Sequence, residues 1–137
     1  MTRLSLIIIL ALGLGAAHGQ TNKKAISYFQ IAQKFEENGK LDSALMYFNK
    51  ADSIAPNTPI ILHERGLLKS SLELFKEAIK DIDKSIELTK DEKQKLVFTE
   101  NRGLTYLDMG EKDKACADFK AIGNFGNGKK YIEKYCK

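Results

Sequence analysis

The chain has 137 residues, with 22 Lys and Arg against 18 Asp and Glu for a formal net charge of +4. That length supports one domain with a continuous if narrow core, and nothing in the sequence suggests a second. The two signs alternate along the chain instead of clustering, which excludes the basic stripe of a nucleic-acid binder. With two His and two Cys in all, no metal or triad spacing is present, so no metal and no cofactor are expected.

The first nineteen residues differ in kind from the rest. Arg3 is their only charge, Leu4 to Ala17 is an apolar run, and Ala17-His18-Gly19 puts small residues where a signal peptidase reads. A signal peptide over 1–19, cleaved before Gln20, is therefore expected, since the run falls short of the ~20 residues that span a bilayer. The other reading is an uncleaved anchor. No cysteine near the cleavage point could carry a lipid, so the mature chain 20–137 is expected to be exported, periplasmic or secreted, with no stable membrane anchor. Removing Arg3 from the 22 cations leaves 21 against 18 acids, a balance of +3.

Helix signals then recur in pairs. A first helix is expected from about Lys24 to Asn38, with Tyr28, Ile31, Ala32 and Phe35 on one face, ending at Asn38-Gly39 where glycine can turn left-handed. Its partner is expected over Leu41 to Ile54. Ala55-Pro56-Asn57 breaks the chain, and Thr58-Pro59 offers an N-cap hydroxyl followed by a proline at the first helical position, so a third helix starts at Pro59 and carries Leu62, Gly66 and Leu68. A fourth follows from about Leu74 to Leu88. Thr89-Lys90-Asp91-Glu92 has capping-box spacing and opens a fifth helix with Val97, Gly103, Leu104, Tyr106 and Leu107. A sixth is expected over Glu111 to Ile122. After the glycine-rich stretch 123–128, a short helix from about Lys129 to Tyr135 presents Tyr131, Ile132 and Tyr135 as a terminal cap.

These pairs share a register. Ala44 and Ala78 are 34 residues apart and open the same apolar pattern, and Ala115 follows 37 residues later, so three residues are inserted, which we assign to the fifth helix. A period in this range means stacked units.

The residues at these positions resemble the tetratricopeptide repeat, whose signature runs W-x-x-L-G-x-x-Y, then Ala, Phe and Pro. The first unit supplies Tyr28, Ile31, Ala32, Phe35, Ala44, Phe48, Ala51 and Pro56; the second, Leu62, Arg65, Gly66, Lys69, Ala78 and Ile82, with no glycine between its helices; the third, Thr99, Arg102, Gly103, Tyr106, Gly110, Ala115 and Phe119. Arg-Gly-Leu recurs at 65–67 and 102–104. The resemblance implies an all-α, right-handed superhelical stack of about three helix-turn-helix units, near 24–57, 58–91 and 92–125, with a capping helix near 128–136.

It also implies a non-catalytic module or scaffold, here in the bacterial envelope, that binds a protein or peptide in a concave groove lined by the first helix of each unit. The groove positions would be Ile26, Phe29, Gln33 and Glu36, then His63, Leu67 and Ser70, then Glu100, Leu104 and Leu107. Relatives that clamp a C-terminal carboxylate use Lys and Asn where Phe29, Gln33, Leu67 and Leu104 stand here, which disfavours a chaperone-tail receptor. Packing between units is the competing account of the apolar members.

Other readings remain open. The chain could be a structural subunit docking through its convex face, or a nucleotide-binding protein using Gly123-x-x-x-x-Gly128-Lys129. The latter lacks a Ser or Thr at Lys130 and a preceding strand. Asp81 with Asp83, and Asp91 with Glu92, read as solvated helix faces. Export permits a bridge between Cys116 and Cys136; alternatively Cys116 is a small packing residue and Cys136 a tail thiol.

Overall fold

The structure, a computed structural model, describes residues 22–137. The expected leader and its cleavage point lie outside the described residues. Seven helices and no strands occur among them: α1 over 22–37, α2 (Leu41–Ile54), α3 (Pro59–Ser71), α4 (Phe75–Leu88), α5 (Glu92–Asp108), α6 (Lys112–Ile122) and α7 (Gly128–Tyr135). They form three antiparallel pairs, α1 with α2, α3 with α4 and α5 with α6. The α2–α3 and α4–α5 contacts join successive pairs, and α7 closes the array against α6.

Small residues set the pairing. Twelve positions before Ala44, Ala78 and Ala115 stand Ala32, Gly66 and Gly103, all buried. A Cβ added at Gly66 would lie 2.7 Å from Ile82 Cγ1, and one at Gly103 would lie 2.6 Å from Phe119 Cε1, so the helices of the second and third pairs meet where only hydrogen fits, while the first pair accommodates the methyl of Ala32. Phe48, Ile82 and Phe119 fill the space beside these contacts and are fully buried. Of the other signature residues, Tyr28, Phe35 and Tyr106 are half-buried and Pro56 is exposed.

The turn within each pair has one geometry. Five residues before the marker alanines stand Gly39 (φ 71°), Glu73 (φ 59°) and Gly110 (φ 78°). In each turn this residue's N–H donates three residues back and the next N–H five residues back, as in Leu74 to Lys69 at 2.8 Å and Glu111 to Tyr106 at 2.8 Å. That pattern satisfies the last carbonyls of the helix and needs a left-handed residue. The second unit therefore holds a glutamate in a glycine's conformation.

Two expected caps differ in detail. The α5 N-cap is Asp91, whose carboxylate accepts from Gln94 N at 3.0 Å, while Thr89 is buried and its hydroxyl donates to Gln94 Oε1 at 2.7 Å. The cap is thus Asp91 on Gln94 N, two residues later than the Thr89 to Glu92 box, and the Gln94 side chain bonds Thr89 instead of closing the box on Asp91. Thr58 is the residue before α3, but its hydroxyl turns back to the Ala55 carbonyl at 2.8 Å. The inserted residues do lengthen the fifth helix: α5 has 17 residues where α3 has 13.

Cys116 and Cys136 form a disulfide, with Cα atoms 5.5 Å apart. It ties the end of α7 to α6, and Tyr131, Ile132 and Tyr135 pack on Ala115, Phe119 and Ile122.

Candidate functional site

The first helices of the units carry one periodic feature that core packing does not explain. Ile26, Ile60 and Val97 occupy the same register position, 34 and then 37 residues apart, and are 56%, 37% and 38% exposed. Exposed apolar residues at one position in every unit form a row, whereas isolated ones need no explanation. Beside the row, a cleft of about 520 Å³ opens between α1 and α3, with Ile26, Phe29, Gln33, Ile60 and Ile61 in its walls.

The expected groove residues do not share one lining. Phe29 and Gln33 line this cleft, Phe29 also meeting Phe48 edge-on at 5.6 Å. Leu67 and Ser70 are partly exposed on α3, while Leu104 and Leu107 pack on the cluster of Ala115, Phe119 and Ile122. Glu36 is half-buried, and that burial, followed by the nearby Glu64 and Glu37 carboxylates, raises its pKa above the ordinary 4.5. Charge there is unfavourable.

His63 and Glu100 do not reach the cleft. His63 is 3% exposed and stacks on Phe98 with ring centroids 4.0 Å apart. Its Nε2 lies 3.1 Å from Asn101 Nδ2 and its Nδ1 3.2 Å from Glu64 Oε1, a set satisfied when the neutral ring donates from Nδ1 and accepts at Nε2. It joins α3 to α5. Glu100 Oε1 accepts from Asn127 N at 3.1 Å and Asn127 Nδ2 at 3.0 Å, so this carboxylate fills the glycine-rich turn that a nucleotide phosphate would need. The segment before that turn is α6, a helix instead of a strand.

The aspartates read as solvated include a buried one. Arg65 donates to Asp81 through Nε (2.7 Å) and Nη2 (2.8 Å), and through Nη1 to Asp52 on α2 (2.8 Å). Arg102 repeats the device on Asp118 (2.9 and 2.6 Å) and on Asp83 of α4 (2.7 Å). Each arginine therefore binds its own unit and the one before it. Burial alone would raise the Asp81 carboxyl, but the bonds from Arg65 and from Lys69 Nζ (2.7 Å) outweigh it and hold the pKa below the ordinary 3.8. The Asp118 bonds come first among the contacts that push Arg102 further up, so it stays charged. Asp83 and Asp91 are exposed, yet each has a partner, Arg102 for Asp83 and the Gln94 amide for Asp91.

Sequence reasoning missed Ile60 and Ile61. A signal was present, because Pro59-Ile60-Ile61-Leu62 is apolar at every position and a helix cannot bury four consecutive residues on one face. Among the described residues, no group of three or more His, Cys, Asp or Glu could hold a metal, and no helix is long and apolar enough to cross a membrane.

A stack of helix pairs with small residues at each crossing, a shared turn and a repeating exposed row defines a helical-repeat protein. The tetratricopeptide repeat profile matches residues 25–58, 60–92 and 100–122, and the chain belongs to that family. Over 96 residues, 67% of this chain, it is 28% identical to the anaphase-promoting complex subunit CDC16 of Saccharomyces cerevisiae, of which it spans 11%. The N-terminal domain of stress-induced protein-1 from C. elegans is similar in structure, with TM-score 0.75 at 14% identity over 85% of this chain and 98% of that one. The first TPR of Spaghetti (RPAP3), solved bound to the HSP90 peptide SRMEEVD, has TM-score 0.73 at 19% identity over 84% of this chain and 92% of that one.

Proposed function

We propose that this chain is a non-catalytic interaction module that holds an extended segment of another protein along the row Ile26, Ile60 and Val97, with the Phe29 and Gln33 cleft taking one larger side chain. The row carries the reading: three exposed β-branched residues at one repeat position suit a ligand with a matching periodicity. Inner helices about 10 Å apart match roughly one turn of a polyproline II segment, about three residues at ~3.1 Å each, so the partner segment should place apolar side chains at every third residue, all on one face. Similar folds that hold peptides, such as the one bound to SRMEEVD, support a peptide ligand. Uncharged side chains, Phe29, Gln33, Leu67 and Leu104, where clamping relatives place Lys and Asn support a ligand other than an acidic C-terminus.

We place this activity outside the cytoplasm, in the bacterial envelope. The composition of residues 1–19 and the joined Cys116 and Cys136 support export.

Ile26→Asp, Ile60→Asp and Val97→Asp test the row. Ile26→Asp, at the most exposed position, should keep stability within about 0.5 kcal/mol and the more covered Ile60 and Val97 variants should lose about 1 kcal/mol, while capture of the partner from envelope extract falls sharply in all three. Met46, exposed on a second helix, provides the comparison: loss of capture in Met46→Asp with the row variants intact would move the docking site to the convex face. Intact-mass measurement tests export, with a mature chain beginning at Gln20 as the expected species and a retained full-length chain as the contrary result.

A further inference from the structure

The repeat register shows that one end of the stack is unlike the junctions inside it. In the second unit, Leu62 is 2% exposed and Arg65 reaches Asp52 on α2, so this face is covered by the preceding unit's second helix. Thirty-four residues earlier, the same positions in the first unit hold Tyr28 and Ile31, and the positions of Lys69 and Asp81 hold Phe35 and Tyr47. Among the described residues nothing packs over them from that side. Phe35 stacks on Tyr47 at 5.3 Å and Tyr28 leans on Tyr47 at 5.8 Å, all partly exposed. A cleft of about 380 Å³ beside them is lined by Ile31, Phe35, Lys34 and Lys40.

The rim is cationic. Lys50 Nζ lies 4.5 Å from the Tyr47 ring centre and Lys24 Nζ 5.9 Å from that of Tyr28, with Lys34 and Lys40 at the cleft. We infer that this end face is a second docking site, distinct from the concave row, and that it receives an acidic amphipathic helix of another protein, seated as α2 is seated on the second unit. Inside the stack the covering helix brings apolar contact plus a carboxylate, Asp52 or Asp83, and here, with Ile31 at the register position of Arg65, the surrounding lysines call for the same chemistry. Other occupants match less well. Two copies meeting face to face would oppose lysine to lysine. Head-to-tail stacking is blocked because α7, bridged to α6, closes the far end. Residues 1–21 contain Arg3 and no carboxylate side chain.

The test uses the full chain and two fluorescein-labelled amphipathic helical peptides with one apolar stripe, the first with Glu and the second with Lys on its polar face. The acidic peptide should bind at least roughly tenfold more tightly, the combined effect of several exposed charge pairs. Lys34→Glu with Lys50→Glu should erase that preference, and Ile31→Asp should abolish binding. Ile60→Asp should leave binding unchanged, which separates this site from the concave row. Equal affinity for the two peptides would overturn the inference. So would loss of binding in Ile60→Asp alone, a concentration-dependent doubling of mass that Ile31→Asp removes, or binding only after residues 1–21 are deleted. The exposed lysine pair keeps the test decisive even if Ile31→Asp unfolds.

Discussion

Glu73→Gly should stabilise this protein. Glu73 holds φ 59° in the turn where the first and third units place Gly39 and Gly110, and a left-handed residue with a Cβ costs about 1–2 kcal/mol. Glycine removes that cost but loses about 0.5–1 kcal/mol more backbone entropy on folding, leaving a net gain of about 1 kcal/mol. With an unfolding entropy of ~2.1 cal/mol/K per residue over the 116 residues from 22 to 137, that gain corresponds to a rise in Tm of about 4 °C. Thermal unfolding followed by circular dichroism reads this directly. Two controls separate backbone from side chain. Glu73→Ala keeps the Cβ and should leave Tm near the wild-type value, and Asn57→Gly, at φ 62°, should gain less because asparagine already tolerates this region. A Glu73→Gly variant that melts at or below the wild-type temperature would refute the reasoning.

Gly103→Ala should cost about 1–3 kcal/mol in urea unfolding despite alanine's better helix propensity, because the new methyl meets the Phe119 ring at 2.6 Å. Replacing Cys116 and Cys136 together by Ser should cost ~3 kcal/mol, as expected for a bridge closing a loop of 20 residues, and hydrogen exchange should show α7 losing protection first. Two carboxylates predict opposite responses to pH. Asp81 has a folded pKa below its ordinary 3.8, so its contribution is complete above that value and is lost as pH falls through the lower folded one. Glu36 has a folded pKa above 4.5, so its charged form opposes folding at neutral pH; Glu36→Gln should raise Tm at pH 7 and lose that advantage below about pH 4.

The repeat register was legible because it rests on local necessities. Two helices cannot approach closely without a small residue at the crossing, and a helix cannot turn this tightly without a left-handed residue, so Ala32, Gly66, Gly103, Gly39 and Gly110 carry their meaning in one dimension. The start of α5 was less legible, since Thr89 to Glu92 and Asp91 to Gln94 both have capping-box spacing. The choice falls to the later pair because Thr89 is buried and spends its hydroxyl on Gln94. The Arg–Asp pairs were hidden for another reason: the partners stand 16 residues apart on different helices, and only the recurrence of that interval at Arg65–Asp81 and Arg102–Asp118 could have exposed them. His63 and Glu100 share groove-facing register positions with Phe29, yet Phe98 and the 123–128 turn arrive from distant sequence to cover them. The exposed row shows the converse, because periodicity locates Ile26, Ile60 and Val97 but only tertiary packing leaves them uncovered.

The disulfide between α6 and α7 gives the array a direction. A linear stack opens from its ends, since end units have one neighbour while inner ones have two. Closing a covalent loop around α6 and α7 removes one of those two starting points, so unravelling proceeds from α1 inward, crossing the Arg65 and then the Arg102 junction in turn. Proteases meeting the native protein would therefore trim it from the amino-terminal side and stall at the bridged end. A pulling force would find a ratchet of two successive clasps before a lock, and the first pair of helices could loosen or exchange partners while the remaining two pairs keep their shape.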